Sequence, residues 1–134
     1  MKTRVTGATR EVIISDETPT VIIGERINPS GKKVLGEALK NGNLDVVRKE
    51  ALEQVAAGAD ILDVNVGVFG IDEVSLLPQV VKLVSDIVDV PVCIDSNNPD
   101  ALAAALKICP SKPLVNSVTG EEKSLTRVLP LIKE

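Results

Sequence analysis

The sequence predicts an α/β fold in which parallel strands alternate with covering helices. From residue 20 onward, short runs of Val, Ile and Leu alternate with amphipathic stretches. These runs are apolar at consecutive positions, which is typical of strands covered by helices on both faces. Each strand–helix unit takes about 25 residues, close to the repeat of a TIM-type (β/α)8 barrel of about 250 residues. The 134 residues therefore provide a parallel (βα)4 arrangement, about half of such a barrel.

Four units leave three arrangements open. The chain can be the N-terminal half of a barrel, an open doubly wound sheet, or one of two copies that pair. We divide it into an N-terminal extension, residues 1–19, and a partial barrel domain, residues 20–134. Within the extension, residues 3–15 alternate in polarity around Gly7, which predicts a short strand or hairpin.

The core strands are predicted from apolar runs that are too short for helices and that end in polar residues. They are Val21–Glu25, Asp60–Val66, Val90–Asp95 and Leu114–Ser117. We expect all four to be buried, because a parallel sheet of this class has helices packed against it.

The helices are predicted from a period of 3.6 residues and from their end signals. They are Lys32–Lys40, a helix from Asn43 or Asp45 to Ala57, Val74–Val88, Pro99–Ile108 and Glu122–Lys133. Asn98 should cap the fourth helix. Pro78 should lie in the first turn of its helix, and Pro130 should kink or shorten the last one. The predicted buried face of the second helix comprises Val47, Ala51, Leu52 and Val55.

The composition excludes several functions. There is no His, Trp or Tyr and only one Phe, and the net charge is −4. The commonest metal ligand and the usual base-stacking side chains are therefore missing, so we expect neither a bound metal nor a nucleic-acid partner. No signal-like or membrane-length apolar segment occurs, which predicts a cytoplasmic protein without membrane contact. Cys93 and Cys109 should accordingly be reduced thiols, with Cys93 in the core.

Polar residues follow every predicted strand. They are Glu25, Arg26 and Asn28, then Asp63 and Asn65, then Asp95, Ser96 and Asn97, then Asn116 and Ser117. The carboxyl ends of parallel strands share one edge of the sheet, where ligands of α/β proteins bind. Carboxylates and amides can hold a heterocycle that presents a ring N–H beside an exocyclic amine. The dinucleotide motif G-x-G-x-x-G is absent.

Four of these motifs, in order, resemble the pterin-binding family. They are GERINPSG, LDVNVG, CIDSNN and VNSVTGE. The resemblance covers residues 20–134 and is greatest to methyltetrahydrofolate:corrinoid protein methyltransferases and to the folate module of cobalamin-dependent methionine synthase. Dihydropteroate synthase is a more distant relative. In this comparison the chain looks like the N-terminal half of the family's barrel.

The resemblance implies a site for a reduced pterin. Asp95 is similar to the aspartate that anchors the pterin and Asn116 to the asparagine that bonds its ring, so these two are the catalytic candidates. The implied pterin-binding set is Asp63, Asn65, Asp95, Ser96 and Asn116, and the implied site-lining set is Glu25, Arg26 and Asn28. Taken alone, Asp63 could equally serve as a turn residue, and Glu25 and Arg26 could simply pair with each other.

The implied activity is methyl transfer from N5 of methyltetrahydrofolate to a corrinoid (cobalamin) on a separate protein. Two alternatives remain: a half-barrel that binds or assembles without turnover, and a dihydropteroate synthase-like enzyme. The loop at residues 66–73 is acidic and apolar, which favours the methyltransferase branch. A half-barrel leaves unpaired strand edges, so we expect a homodimer or a larger assembly.

Overall fold

A computed structural model describes residues 1–134. The six strands are β1 (Thr3–Thr6), β2 (Glu11–Ile14), β3 (Ile23–Ile27), β4 (Ile61–Val64), β5 (Val92–Asp95) and β6 (Leu114–Asn116). The five helices are α1 (Lys33–Lys40), α2 (Asp45–Ala56), α3 (Glu73–Ile87), α4 (Pro99–Ile108) and α5 (Glu122–Lys133). The predicted order of elements is confirmed, and their bounds agree with the sequence prediction to within two residues.

The core is a four-stranded parallel sheet in the order β3-β4-β5-β6. Leu62 lies opposite Val92, and Ile94 lies opposite Val115. Because β3 and β6 each have a neighbour on one side only, the sheet is an open part of a barrel. The predicted α/β class and partial barrel are therefore confirmed, with a sheet that does not close.

The two faces of the sheet contact different layers, because successive side chains of a strand point to opposite faces. On the outer face, Leu62, Val64 and Ile94 join the main core with the helices. On the inner face, Ile61 and Cys93 belong to a second, smaller core. Asp63 and Asp95 continue that inner face toward the carboxyl ends of β4 and β5.

An antiparallel hairpin, β1–β2, covers the lower part of the inner face. Its Val5 and Val12 are buried against Ile61 and Cys93. The Thr6 amide donates to the Lys112 carbonyl at 2.9 Å, and the Lys112 amide donates to the Thr6 hydroxyl at 2.9 Å. The hairpin is thus a floor beneath the strand ends, and the predicted N-terminal hairpin is confirmed.

Gly7 lies where the hairpin turn meets the backbone that precedes β5. A Cβ atom at this position would stand 2.2 Å from the carbonyl oxygen of Asp89. Only glycine can occupy the hairpin turn without moving that backbone.

The helix ends agree with their sequence signals. The Asn98 side chain accepts hydrogen bonds from the amides of Asp100 and Ala101, at 3.0 and 3.4 Å, which confirms the predicted cap. Asp72 caps α3 in the same way through the amides of Val74 and Ser75. Both caps satisfy amide donors that the first helical turn leaves without partners.

The prediction for the first core strand was wrong in two respects. The strand runs from Ile23 to Ile27, two residues later than predicted, and most of it is exposed instead of buried. Ile22, which precedes it, is 58% exposed. The reason is that β3 is an edge strand, so nothing packs beside it and the hairpin reaches only the lower part of its face.

Three helix details also differ from prediction. Pro78 is the sixth residue of α3, beyond the first turn, so the Val74 carbonyl lacks its usual helical partner. Pro130 does not shorten α5, which continues to Lys133. Leu52 is 52% exposed, and Gln54 takes the buried position on α2 instead. Positions 47, 51 and 54 form one helical face, and position 52 falls outside it.

Both cysteines are free thiols, and Cys93 is buried as predicted. None of the five helices combines the length and the hydrophobicity that a membrane span requires.

Candidate functional site

The candidate site lies on the inner face at the carboxyl ends of β4, β5 and β6. Asp63 is the penultimate residue of β4, and Asp95 and Asn116 are the last residues of β5 and β6. Asp95 lies directly opposite Asn116, and Asp63 lies opposite Cys93. Parallel register therefore brings together three side chains that are far apart in the sequence.

Asp63 is the most unusual group of the site. Its residue is only 4% exposed, and its Oδ2 atom is buried without any hydrogen-bond partner. A buried carboxylate oxygen normally has a donor, because desolvating it alone is costly. Asp63 therefore has an acceptor position that no group of the chain uses.

The pKa of Asp63 is raised from 3.8 to about 6. Burial is the main cause, since it disfavours the charged form, and the negative charges of Asp95 and Glu25 add to it. A hydrogen bond with the Cys93 thiol acts in the opposite direction. Near neutral pH this carboxyl can therefore exchange a proton inside the site.

Cys93 is a site neighbour that the sequence prediction assigned only to the core. Burial and the nearby Asp63 carboxylate raise the pKa of its thiol, which stays protonated and can donate. The signal was present in the sequence, because residues 93 and 95 of one strand must share a face.

Asp95 and Asn116 form the open side of the site. Asp95 is half-buried and Asn116 is exposed. The Ser96 amide donates to the Asn116 carbonyl at 3.0 Å, which holds the two strand ends together. Both side chains are accessible to a ligand above the sheet.

Asn65 lies just beyond β4 and lines a cavity of about 530 Å³ between the loops that follow β4 and β5. Its side-chain oxygen accepts the Gly67 amide at 2.7 Å, so the turn uses this acceptor. Its NH₂ group has no partner within the chain and remains available to a ligand. The turn therefore fixes the orientation of the amide.

Ser96 is buried and its hydroxyl is already engaged. The hydroxyl donates to a Glu73 carboxylate oxygen at 2.6 Å and accepts the Asn98 amide at 3.0 Å. Glu73, in the first turn of α3, also lines the 530 Å³ cavity. Glu73 was not among the predicted site residues, because an acidic residue in a first turn is common without any ligand.

β3 and the loop after it contribute Glu25 and Asn28 to the same side. Glu25 accepts a hydrogen bond from the Asn28 side chain at 3.1 Å, and the oxygen of Asn28 accepts the Ser30 amide at 3.0 Å. Glu25 is near enough to Asp63 to raise its pKa.

Arg26 does not join this cluster. Its guanidinium pairs with Glu50 of α2 at 2.7 Å, and its amide donates to Gln54 of α2 at 3.0 Å. Arg26 therefore pairs with Glu50 and not with Glu25, and its place in the site-lining set remains a prediction. Strand alternation explains this, since Glu25 and Arg26 are consecutive residues of β3 and point to opposite faces.

The cluster has the chemistry of an acceptor-rich pocket for an uncharged heterocycle. No group of three or more His, Cys, Asp or Glu side chains is arranged to hold a metal ion. Two carboxyls and two amides on one edge suit a ring that presents several N–H groups.

Comparisons with known proteins agree with this chemistry. Residues 24–134 match the sequence profile of a family described as pterin binding enzymes. The chain is also similar to the methylcorrinoid:tetrahydrofolate methyltransferase of Eubacterium limosum, with 34% identity over 114 residues. The matched region is 85% of this chain and 42% of that relative, so the chain spans less than half of its length.

Proposed function

Because the chain belongs to the pterin-binding enzyme family, we propose that the inner face of its sheet binds a reduced pterin at the ends of β4, β5 and β6. The match of residues 24–134 to this family confirms the resemblance that the four strand-end motifs predicted. The observation that carries the proposal is the buried Oδ2 atom of Asp63, which has no partner within the chain. A pterin ring supplies N–H donors to fill such a position.

Asp95 is proposed to anchor the ring. Its carboxylate can accept two parallel N–H bonds from the aminopyrimidine edge of a pterin, and charge-assisted bonds of this kind are strong. Asn116, directly opposite, can both donate to and accept from the same ring. Asn65 offers its free NH₂ group from the adjacent strand end.

Ser96, Glu25 and Asn28 are proposed to shape the pocket. Ser96 fixes the loop after β5 through its bonds to Glu73 and Asn98. Glu25 keeps negative charge next to Asp63 and so favours the protonated form of that carboxyl.

The reaction we propose is methyl transfer between N5 of a tetrahydrofolate and a corrinoid carried by another protein. The name of the relative makes the methylcorrinoid the donor and tetrahydrofolate the acceptor, the reverse of the direction implied by the motifs. One set of residues serves both directions, because forward and reverse reactions share a transition state. The relative's name also favours methyl transfer over a dihydropteroate synthase reaction.

Asp63 is proposed to hold the exchangeable proton of the site. N5 loses a proton when it is methylated and gains one when the methyl group leaves. A general acid or base works best when its pKa is close to the working pH, and the pKa of about 6 meets this condition. Fixed polar groups such as Asn116 would supply the remaining electrostatic stabilisation.

A binding module without turnover is the second candidate. The observation that favours it is the open sheet, in which no strands face Asp95 across the interior that a closed barrel would have. The two candidates differ in one assay, in which methyltetrahydrofolate and a reduced corrinoid protein are supplied and methylcorrinoid formation is followed by its absorption spectrum. A folded chain that binds folate without forming product would contradict the enzyme proposal.

Binding itself is tested with Asp95→Asn. The substitution removes the charge-assisted pair, so we expect the free energy of binding methyltetrahydrofolate to weaken by about 1.5–3 kcal/mol. This corresponds to a rise in Kd of about 10- to 150-fold, measurable by calorimetry. Asp16→Asn is a matched control, because Asp16 is exposed and makes no ion pair. Equal affinities for the wild type and Asp95→Asn would show that Asp95 is only a turn element.

A further inference from the structure

Glu73 lies between two of the loops that follow the strands of the sheet. It is the first residue of α3, whose start is fixed by the Asp72 cap and by the buried side chains of Leu77 and Val80. The Glu73 side chain is half-buried and lines the 530 Å³ cavity. The helix dipole favours an acidic residue in a first turn without requiring its burial. The partial burial of Glu73 therefore reflects its contacts with the two loops.

The first contact is with the loop after β5. Oε2 of Glu73 accepts the Ser96 hydroxyl at 2.6 Å, and Ser96 is only 3% exposed. A hydrogen bond to a carboxylate is stronger than one between neutral groups. The same hydroxyl accepts the amide of Asn98, the cap of α4, at 3.0 Å. Glu73 thus holds the residue that immediately follows Asp95.

The second contact is with the turn after β4. A Cβ atom at Gly67 would stand 3.1 Å from Oδ1 of Asn65 and 3.3 Å from Oε1 of Glu73. The side chains of Asn65 and Glu73 therefore converge over Gly67. Because the Asn65 oxygen also accepts the Gly67 amide at 2.7 Å, the position of this turn sets the direction of the Asn65 NH₂ group.

We propose that Glu73 is a positioning residue for the pterin site, an inference that rests on the proposed function. Its two carboxylate oxygens hold the turn after β4 and the loop after β5 at a fixed separation. Asn65 and Asp95 can then face the same ring. A ligand binds well only when the groups that contact it are held close to their productive geometry. Loss of Glu73 therefore weakens binding even though Asn65 and Asp95 are both still present.

The geometry favours support from behind over direct contact with the ring. Asp63 and Asp95 lie on the inner face of the sheet, whereas α3 packs with the other helices against its outer face. Consecutive residues of a strand point to opposite faces, so Ser96 points away from the side on which Asp95 lies. The bond between Ser96 and Glu73 is therefore on the helix side of the strand ends.

The test measures the affinity for methyltetrahydrofolate by calorimetry in two variants of Glu73. Glu73→Ala removes both contacts, so we expect the Kd to rise by about 10-fold. Glu73→Gln keeps the length of the side chain and an oxygen that can accept the Ser96 hydroxyl, so its Kd should stay within about 3-fold of the wild type. Urea unfolding of each variant shows that the chain is folded.

A double-mutant cycle shows whether Glu73 acts through Ser96. Ser96→Ala alone should weaken binding, and adding Glu73→Ala should then have little further effect, because the contact is already lost. Hydrogen exchange gives a readout that needs no ligand. Glu73→Ala should speed the exchange of amides in residues 65–71 and 96–98, and Glu73→Gln should not.

Glu122→Ala is the matched control. Glu122 is likewise the first residue of a helix, α5, and its side chain is exposed. Its removal changes the net charge and the interaction with the helix dipole in the same way as Glu73→Ala. It should change neither the Kd nor the exchange of the two loops.

Four results would overturn the role of Glu73 and leave the pterin site standing. They are an unchanged Kd in Glu73→Ala, an equal loss in Glu73→Ala and Glu73→Gln, an equal loss in Glu122→Ala, and the same effect of Glu73→Ala with and without Ser96. A folded wild-type chain that binds no methyltetrahydrofolate would instead overturn the pterin site, and the role of Glu73 with it.

Discussion

Replacing Asp63 by Asn should stabilise the fold in a strongly pH-dependent way. The rise of its pKa from 3.8 to about 6 means that the ionised carboxylate is disfavoured in the folded state. At about 1.36 kcal/mol for each pH unit, this corresponds to about 3 kcal/mol. Because the sheet is open, solvent screens part of the electrostatic field at the Asp63 carboxylate. We therefore expect a measured difference in stability of about 1–2 kcal/mol.

The sign of the effect follows from proton linkage. Below about pH 4 Asp63 is protonated in both the folded and the unfolded chain, so its ionisation does not destabilise the wild type. As the pH rises from about 4 to about 6, the unfolded chain ionises first and the stability of the wild type falls. Above about pH 6 the loss of stability is complete and stays constant, because Asp63 is then ionised in both states. The substituted amide stays neutral and can donate to Asp95.

Urea unfolding at a series of pH values from about 4 to about 8 measures this effect. We expect Asp63→Asn to match the wild type at the acidic end and to exceed it by about 1–2 kcal/mol at the alkaline end. Asp16→Asn, an exposed Asp without ion pairs, should show no such trend. A constant difference across the pH range, or a variant that is less stable than the wild type at about pH 8, would refute the reasoning.

Two further predictions concern the edge of the sheet. Arg26→Ala should lower the free energy of unfolding by about 0.5–1 kcal/mol, because the lost pair with Glu50 is largely solvent-exposed on the arginine side. The substitution should leave the Kd for methyltetrahydrofolate unchanged. A tenfold rise in that Kd would show that Arg26 contributes to binding. The chain should also self-associate, because β3 and β6 expose unpaired backbone groups. Light scattering at rising protein concentration checks this, and a monomer at every concentration would contradict it.

Much of the fold was predictable because its signals are local. Apolar runs and helix caps such as Asn98 depend on neighbouring residues, and each predicted element is present. The placement of β3 was less predictable, since its offset and its exposure depend on its position at the edge of the sheet. The sequence around Val21 contains no sign of that position.

The site was predictable as a set of strand ends but not as a geometry. Asp63, Asp95 and Asn116 converge as expected, because parallel register requires it. The burial of Asp63 could not be predicted, because it depends on packing between strands that are far apart in the sequence. Alternation along β3 could have excluded Arg26, had the first residue of the strand been known.

The floor beneath the site has a consequence for the order in which the molecule assembles. The hydrogen bond from Lys112 to Thr6 joins residues separated by 106 positions in the sequence. Contacts of such separation require the closure of a long loop and therefore form late. During synthesis, β4 and its Asp63 are complete long before Lys112 leaves the ribosome. Until Lys112 is synthesised, the hairpin lacks this attachment to the loop before β6, so the floor is fastened later than the strand ends that it supports.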